Sequence, residues 1–123
     1  IKIAIKCIEN LYAVSDSMGA TGLEDGIYKF FDTDIEKKNK IALVKNTNTL
    51  AGSIVNMHDT FSNLIKLKLT LNDAVKMTSY NAAQYIKEKD IGIIKANYKA
   101  NFLVLDKNLN LKEIYLNGKK IDQ

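Results

Sequence analysis

The stretch LYAVSDSMGATGL, Leu11 to Leu23, decides how the rest of the chain is read. Leu11, Tyr12, Ala13 and Val14 form an apolar run of strand length, too short for a helix of its own. The run stops at Asp16, and Met18-Gly19 and Thr21-Gly22 follow as a loop whose backbone is free to bend. Upstream, Ile1, Ala4, Ile5 and Ile8 fall at helical spacing, which predicts a helix over 1–9 closed by Asn10. Helix, buried strand, then a polar residue at the strand's C-terminal end is the order of a parallel α/β sheet or barrel. In such barrels reactive groups project from the C-terminal ends of strands. On that reading Asp16 is the leading candidate for a catalytic carboxylate, because a carboxyl held partly out of water titrates high unless a cation opposes the shift. Asp is also a common Asx-turn former, and the residues alone leave both readings open.

Beyond the loop the pattern changes. "GIYKFF" (26–31) and "KIALVK" (40–45) are β-like and flank a charged stretch, "DTDIEKKN" (32–39), that reads as a turn between hairpin strands. Asp32, Asp34 and Glu36 alternate like the start of a calcium loop, but the glycine and the later bidentate glutamate of such a loop are missing. "LAGS" (50–53) follows, with Ser53 expected to cap a helix whose apolar stripe is Ile54, Met57, Phe61, Leu64 and Ile65. A helix N-terminus presents backbone N–H groups, and Gly52 allows close approach, so Leu50–Gly52 reads either as a plain loop or as a ligand contact. Thr70 with Asp73 is a capping-box variant opening a further helix through Ala74, Val75 and Met77. Ser79 is expected to cap another, from Asn81 to Ile86. The tail reads as strands at Ile91–Ile94, Phe102–Leu105 and Ile114–Leu116, with Asn117-Gly118 as a tight hairpin turn.

The 123 residues suit one domain of ordinary size, and 46% hydrophobic residues suffice for a core. The chain opens at Ile1 in mid-helix, so a piece of a longer polypeptide is expected. The net charge of +4 comes from lysines alone, since there is no Arg. They are spread along the sequence without the clustered Arg, Lys and aromatics of a nucleic-acid binder, so no nucleic-acid partner is expected. No apolar run approaches the ~20 residues of a membrane span, so no membrane association is expected. The single cysteine, Cys7, falls on the apolar side of the first helix and reads as a small buried hydrophobe in a reducing, cytoplasmic setting. His58, the only histidine, has Asp59 beside it but no Cys/His cluster, so this segment by itself is expected to hold no metal.

Four stretches taken in order, "VSDSMGATGLEDGIYKF", "TLAGSIVNMHDTFSNLIK", "LTLNDAVKMTSYNAAQYI" and "DIGIIKANYKANFLVLDKNLNLKEIYLNGKKI", resemble the C-terminal third of N-acetylglucosamine-6-phosphate deacetylases of the amidohydrolase superfamily. The strand-end Asp16 with its loop, and "LAGS" before a helical Met, carry the specific part of the likeness. The resemblance implies an α/β fold, the C-terminal part of a (β/α)8 (TIM-like) metal-dependent hydrolase barrel plus strands of a small β-sandwich domain. Residues 1–90 would be the last part of the barrel: helix 7, strand 8 at Leu11–Ser15, a hairpin insertion and C-terminal helices. Residues 91–123 would supply sandwich strands.

The same likeness implies that Asp16 serves as general base and then general acid, and that Leu50, Ala51 and Gly52 line the amino-sugar phosphate substrate, mainly through backbone groups. It implies a divalent metal, zinc or similar, held upstream of this segment, and a homodimeric parent. The 123 residues alone are expected to be inactive and to self-associate through exposed strand edges. The chain departs from the family at Asn81-Ala82-Ala83, where Asn-Pro-Ala is frequent, at Asn97, where Gly is common, and at Asn101, often Asp. Two other readings stand beside this one: another amidohydrolase of the dihydroorotase or deaminase kind, and a non-enzymatic module that uses its lysines on an acidic partner.

Overall fold

In the computed structural model, which describes residues 1–122, the helical spacing at the start produces α1, Lys2–Cys7. The helix is short, and none of its residues is buried. Cys7 is exposed, contrary to the expectation of a buried thiol: the helix half-buries only Ala4 and Ile5. Asn10 takes the left-handed conformation, φ +57°, and turns the chain away.

Leu11–Ser15, expected as a strand, belongs to no strand or helix among the described residues. Leu11, Tyr12 and Ala13 are half-buried, whereas Val14 is 66% exposed. A helix takes the place of a β-ladder here. The Ala13 N–H donates to the Met77 carbonyl at 2.9 Å, and the Asn81 amide donates to the Leu11 carbonyl at 2.7 Å.

The chain forms two compact units, Val14–Asn63 and a second made of Ile1–Ala13 with the residues from Leu64 onward. The first contains an antiparallel meander of β1 (Gly26–Phe30), β2 (Thr33–Lys38) and β3 (Ile41–Val44). The stretch expected to be a charged turn is the central strand β2. Its alternation decides this, since Ile35 lies between Tyr28 and Val44 and is 2% exposed, while its charged neighbours face solvent. Two-residue turns flank it. Asn39-Lys40 has both φ values positive (+50° and +63°), as a type I′ turn requires, and Phe31 takes φ +51° in the other. Among the three carboxylates of the incomplete calcium pattern, Asp34 faces Lys45 at 3.3 Å.

Helix α2 runs Met57–Lys66 with Phe61 and Leu64 buried. It starts later than the sequence suggests, and Ser53 is not its cap. Asn56 is: its side-chain oxygen accepts the Asp59 N–H at 2.8 Å, and the Asp59 carboxylate accepts the Asn56 N–H at 3.3 Å. This is a capping box built from Asn and Asp. Thr70 caps α3 (Leu71–Val75) as expected, with its oxygen accepting the Asp73 N–H at 3.1 Å. Ser79 caps nothing. The chain stays helical through a π-helical turn, Lys76–Tyr80, into α4, Asn81–Tyr85. With Ala82 in place of proline, nothing removes an N–H from this run. Both α2 and α4 end with a lysine in the left-handed position, Lys68 and Lys87 at φ +69° and +62°. There the Leu69 and Glu88 N–H groups reach back to the Leu64 and Ala83 carbonyls, the Schellman pattern.

Ile91–Ile94 does not form a strand. Gly92 sits at φ +85°, and a Cβ there would lie 3.0 Å from the Tyr80 Cα, so the backbone is pressed against the helix instead of extended. The tail then forms β4 (Phe102–Leu105), β5 (Leu111–Leu116) and β6 (Lys119–Ile121) in one antiparallel sheet. Phe102 and Tyr115 stack at 4.5 Å. Asn117-Gly118 turns the last hairpin with both φ positive, and Asn101 accepts the Asn117 N–H at 2.7 Å. Asn97, at φ +67°, fills its left-handed position as a glycine would. Among the described residues no helix is long and apolar enough to cross a membrane.

Two outcomes follow from these turns. Asn56→Ala destabilises α2 by about 1 kcal/mol, the usual worth of an N-cap; urea unfolding followed by far-UV circular dichroism checks it. The Asp106 carboxyl is lowered to about 2, first by the Asn110 side-chain and backbone N–H groups and then by the Asn108 N–H and Lys112. A depressed carboxyl adds stability above its unfolded value, near 4, and that contribution is lost as pH falls through about 2. A carboxyl-carbon NMR titration is expected to show the low midpoint, and Asn110→Ala should raise it toward the ordinary range.

Candidate active site

The candidate residues Asp16, Leu50, Ala51 and Gly52 all lie in the unit Val14–Asn63. Asp16 is in the left-handed region, φ +50°, with its side chain exposed. Among the described residues its carboxylate takes part in no hydrogen bond or ion pair. Asp tolerates this backbone posture better than most residues, yet the posture still costs about 1 kcal/mol. What holds it lies on either side.

Three hydrogen bonds tie residues 15–18 to residues 53–55. The Ser53 hydroxyl donates to the Ser15 carbonyl at 2.6 Å. The Ser17 hydroxyl donates to the Val55 carbonyl. The Met18 N–H donates to the Ser53 carbonyl at 2.9 Å, within a parallel bridge that pairs Ser17 with Ser53. Asp16 is thus the unbonded residue between two pinned neighbours. Just before Ser53, a Cβ on Gly52 would sit 3.3 Å from the Met18 sulfur, so the glycine keeps main chain and side chain in close packing.

Leu50–Gly52 is fixed from its other end by the meander. Leu50 bridges Leu43, and the Ala51 N–H donates to the Ala42 carbonyl at 2.9 Å. Leu50 is exposed and Ala51 half-buried. The segment therefore leaves the edge of β3 and runs directly into the contact with the Asp16 loop. An exposed carboxylate on a loop tied in this way to a neighbouring segment is the kind of group that can carry a proton to or from a ligand.

Sequence reasoning assigned Ser53 to a helix cap and passed over Ser17. Both hydroxyls serve instead to join the two halves of the site. A serine on each side of the aspartate in "SDS" is the only trace of this in the sequence. His58 lies half-buried in the first turn of α2. Among the described residues no three His, Cys, Asp or Glu side chains come together in a way that could hold a metal ion. A cleft in the other unit is walled by Tyr12, Tyr85, Ile86, Ile91 and Gly92. Its lining includes no carboxylate, so it offers no equivalent of Asp16.

Comparison with known proteins assigns the chain to a family. The amidohydrolase family model matches residues 1–121. An N-acetylglucosamine-6-phosphate deacetylase of Lysinibacillus sphaericus is 30% identical over 94% of this chain and 30% of its own length. An N-acetylgalactosamine-6-phosphate deacetylase of a Shewanella species is 26% identical over 96% of the chain and 30% of its own. The crystal structure of the Thermotoga maritima N-acetylglucosamine-6-phosphate deacetylase superposes with a TM-score of 0.83 at 26% identity, over 97% of this chain and 33% of that one. The chain thus spans about a third of the length of these relatives. With the match running across both units, this chain belongs to the amidohydrolase family.

Proposed function

We propose that the chain is the C-terminal part of an amino-sugar-phosphate deacetylase that hydrolyses N-acetylglucosamine 6-phosphate to glucosamine 6-phosphate and acetate. On this reading residues 1–90 complete a (β/α)8 barrel and 91–123 contribute to a small β-sandwich. The observation that supports it most is the tie between the Asp16 loop and the segment that directly follows Leu50–Gly52: Ser15 and Met18, on either side of Asp16, are both bonded to Ser53.

Asp16 is the proton carrier in this reading. As a carboxylate it takes a proton from the water that attacks the acetamide carbonyl. As a carboxylic acid it returns that proton to the sugar nitrogen when the C–N bond breaks, so acetate leaves and the amine is released. The exposed carboxylate is free to do both. Leu50, Ala51 and Gly52 offer backbone groups to the sugar, and the absence of a side chain at Gly52 leaves room for it. Amidohydrolases generally depend on metal, but the described residues of this chain do not make up an ion site. No step assigned here passes through a metal ion.

The binding-module alternative draws less support. Lys45, Lys99, Lys112 and Lys120 each face a carboxylate within the chain, which lowers the charge left to meet an acidic partner.

The test is direct. The complete polypeptide bearing these residues is expected to release acetate from N-acetylglucosamine 6-phosphate, with N-acetylgalactosamine 6-phosphate as the comparison substrate. Asp16→Asn should lower kcat by about 10²–10⁴-fold, as removal of a general acid–base does. The 123 residues alone, supplied with zinc, should show no turnover above background. Activity in the isolated chain, or full activity in Asp16→Asn, rules the assignment out.

A further inference from the structure

Asp16 owes its direction to its neighbours, because its carboxylate takes no bond of its own among the described residues. Of the three bonds that fix those neighbours, two involve Ser53: its hydroxyl holds the Ser15 carbonyl, and its carbonyl holds the Met18 N–H. The same residue directly follows Leu50–Gly52. One residue therefore joins the backbone on both sides of Asp16 to the segment proposed to grip the sugar. We propose that Ser53 is a positioning residue for Asp16, with Ser17 as its lesser counterpart through Val55. This assignment rests on the deacetylase reading above.

The physical case turns on the left-handed conformation. Without tethers, a residue at φ +50° relaxes toward the far more populated right-handed or extended regions. That rotation redirects the side chain by much more than the tolerance of a proton transfer, and misplacement by about 1 Å can cost on the order of 10²-fold in rate. Ser53 has the hydroxyl that the helix does not use, since Asn56 caps α2. Its Oγ is donated across the loop to Ser15 and receives only a long contact, 3.4 Å, from the Val55 N–H. Removing the oxygen frees the Ser15 carbonyl but leaves the cap, the meander and the apolar face of α2 untouched.

Ser53→Ala and Ser53→Thr separate positioning from folding. In the complete polypeptide, Ser53→Ala is expected to speed amide hydrogen exchange at Met18 by about tenfold or more, while exchange in β1–β3 is unchanged and Ser53→Thr restores the slow rate. In the complete deacetylase, Ser53→Ala should lower kcat by about tenfold or more with KM altered by less than about threefold, and Ser53→Thr should recover kcat. Unchanged Met18 exchange in Ser53→Ala overturns the tether. Faster exchange with kcat unchanged overturns the positioning role. Should Ser53→Ala lose protection throughout β1–β3, Ser17→Ala, which removes only the bond to Val55, is judged by the same criteria. A complete polypeptide inactive before any substitution sinks the deacetylase reading and the positioning role with it, while the exchange measurement still decides the tether.

Discussion

The contact between residues 15–18 and 53–55 is the constraint on which the candidate site depends. It joins segments 38 residues apart in sequence through a single parallel bridge and two serine hydroxyls. Closing a flexible loop of that length is entropically costly, by several kcal/mol, and three hydrogen bonds at about 1 kcal/mol each do not offset it alone. The meander between them is what makes closure feasible. Each of β1, β2 and β3 is joined to the next by a two-residue turn, so the intervening chain folds back on itself locally. Leu50 and Ala51 then attach to β3 at Leu43 and Ala42, which delivers Ser53 to the Asp16 loop with little chain left to order. The buried Ile35 anchors the sheet that does this.

A different device serves the other unit. There, Leu11–Ala13 finds no strand beside it among the described residues, yet its backbone polar groups cannot be left bare where they are half-buried. The helical run supplies the partners. A π-helical turn leaves helical carbonyls differently spaced from those of a regular α-helix, and the Met77 carbonyl in that turn accepts the Ala13 N–H. The buried Asn81 follows at once and uses its side-chain amide on the Leu11 carbonyl. An asparagine in the interior is expensive unless satisfied, and this bond satisfies it. The uninterrupted helix at Ala82 lets both partners sit on one rigid element.

The sequence was legible where a local motif determines the outcome. Asn117-Gly118 makes a hairpin because few other pairs accept two positive φ values, and Thr70 with Asp73 makes a cap because the bonds are three residues apart. The loop around Asp16 is bonded to Ser53, the residue after "LAG", so the two stretches singled out as "LYAVSDS" and "LAGS" do meet in the fold. It was misleading where distant contacts decide. "DTDIEKKN" looks like a turn by charge, but one isoleucine in it finds Tyr28 and Val44 and makes a central strand. "IGII" looks like a strand by composition, but Gly92 is needed against Tyr80. Ser53 fits the preferences of a helix cap, and only its long-range partner Ser15 shows that it has other use. Local propensity could not register these contacts, because each partner lies far along the chain.

The Asp16 loop carries a second serine. Ser15 and Ser17 flank Asp16 but act through different atoms: Ser15 offers its carbonyl, Ser17 its hydroxyl. The residue between them departs from regular strand, with Asp16 at φ +50°, and the bonds on either side restrain that left-handed posture. Side-chain direction at position 16 is therefore a property of the pair of segments, and it survives only while both are tied.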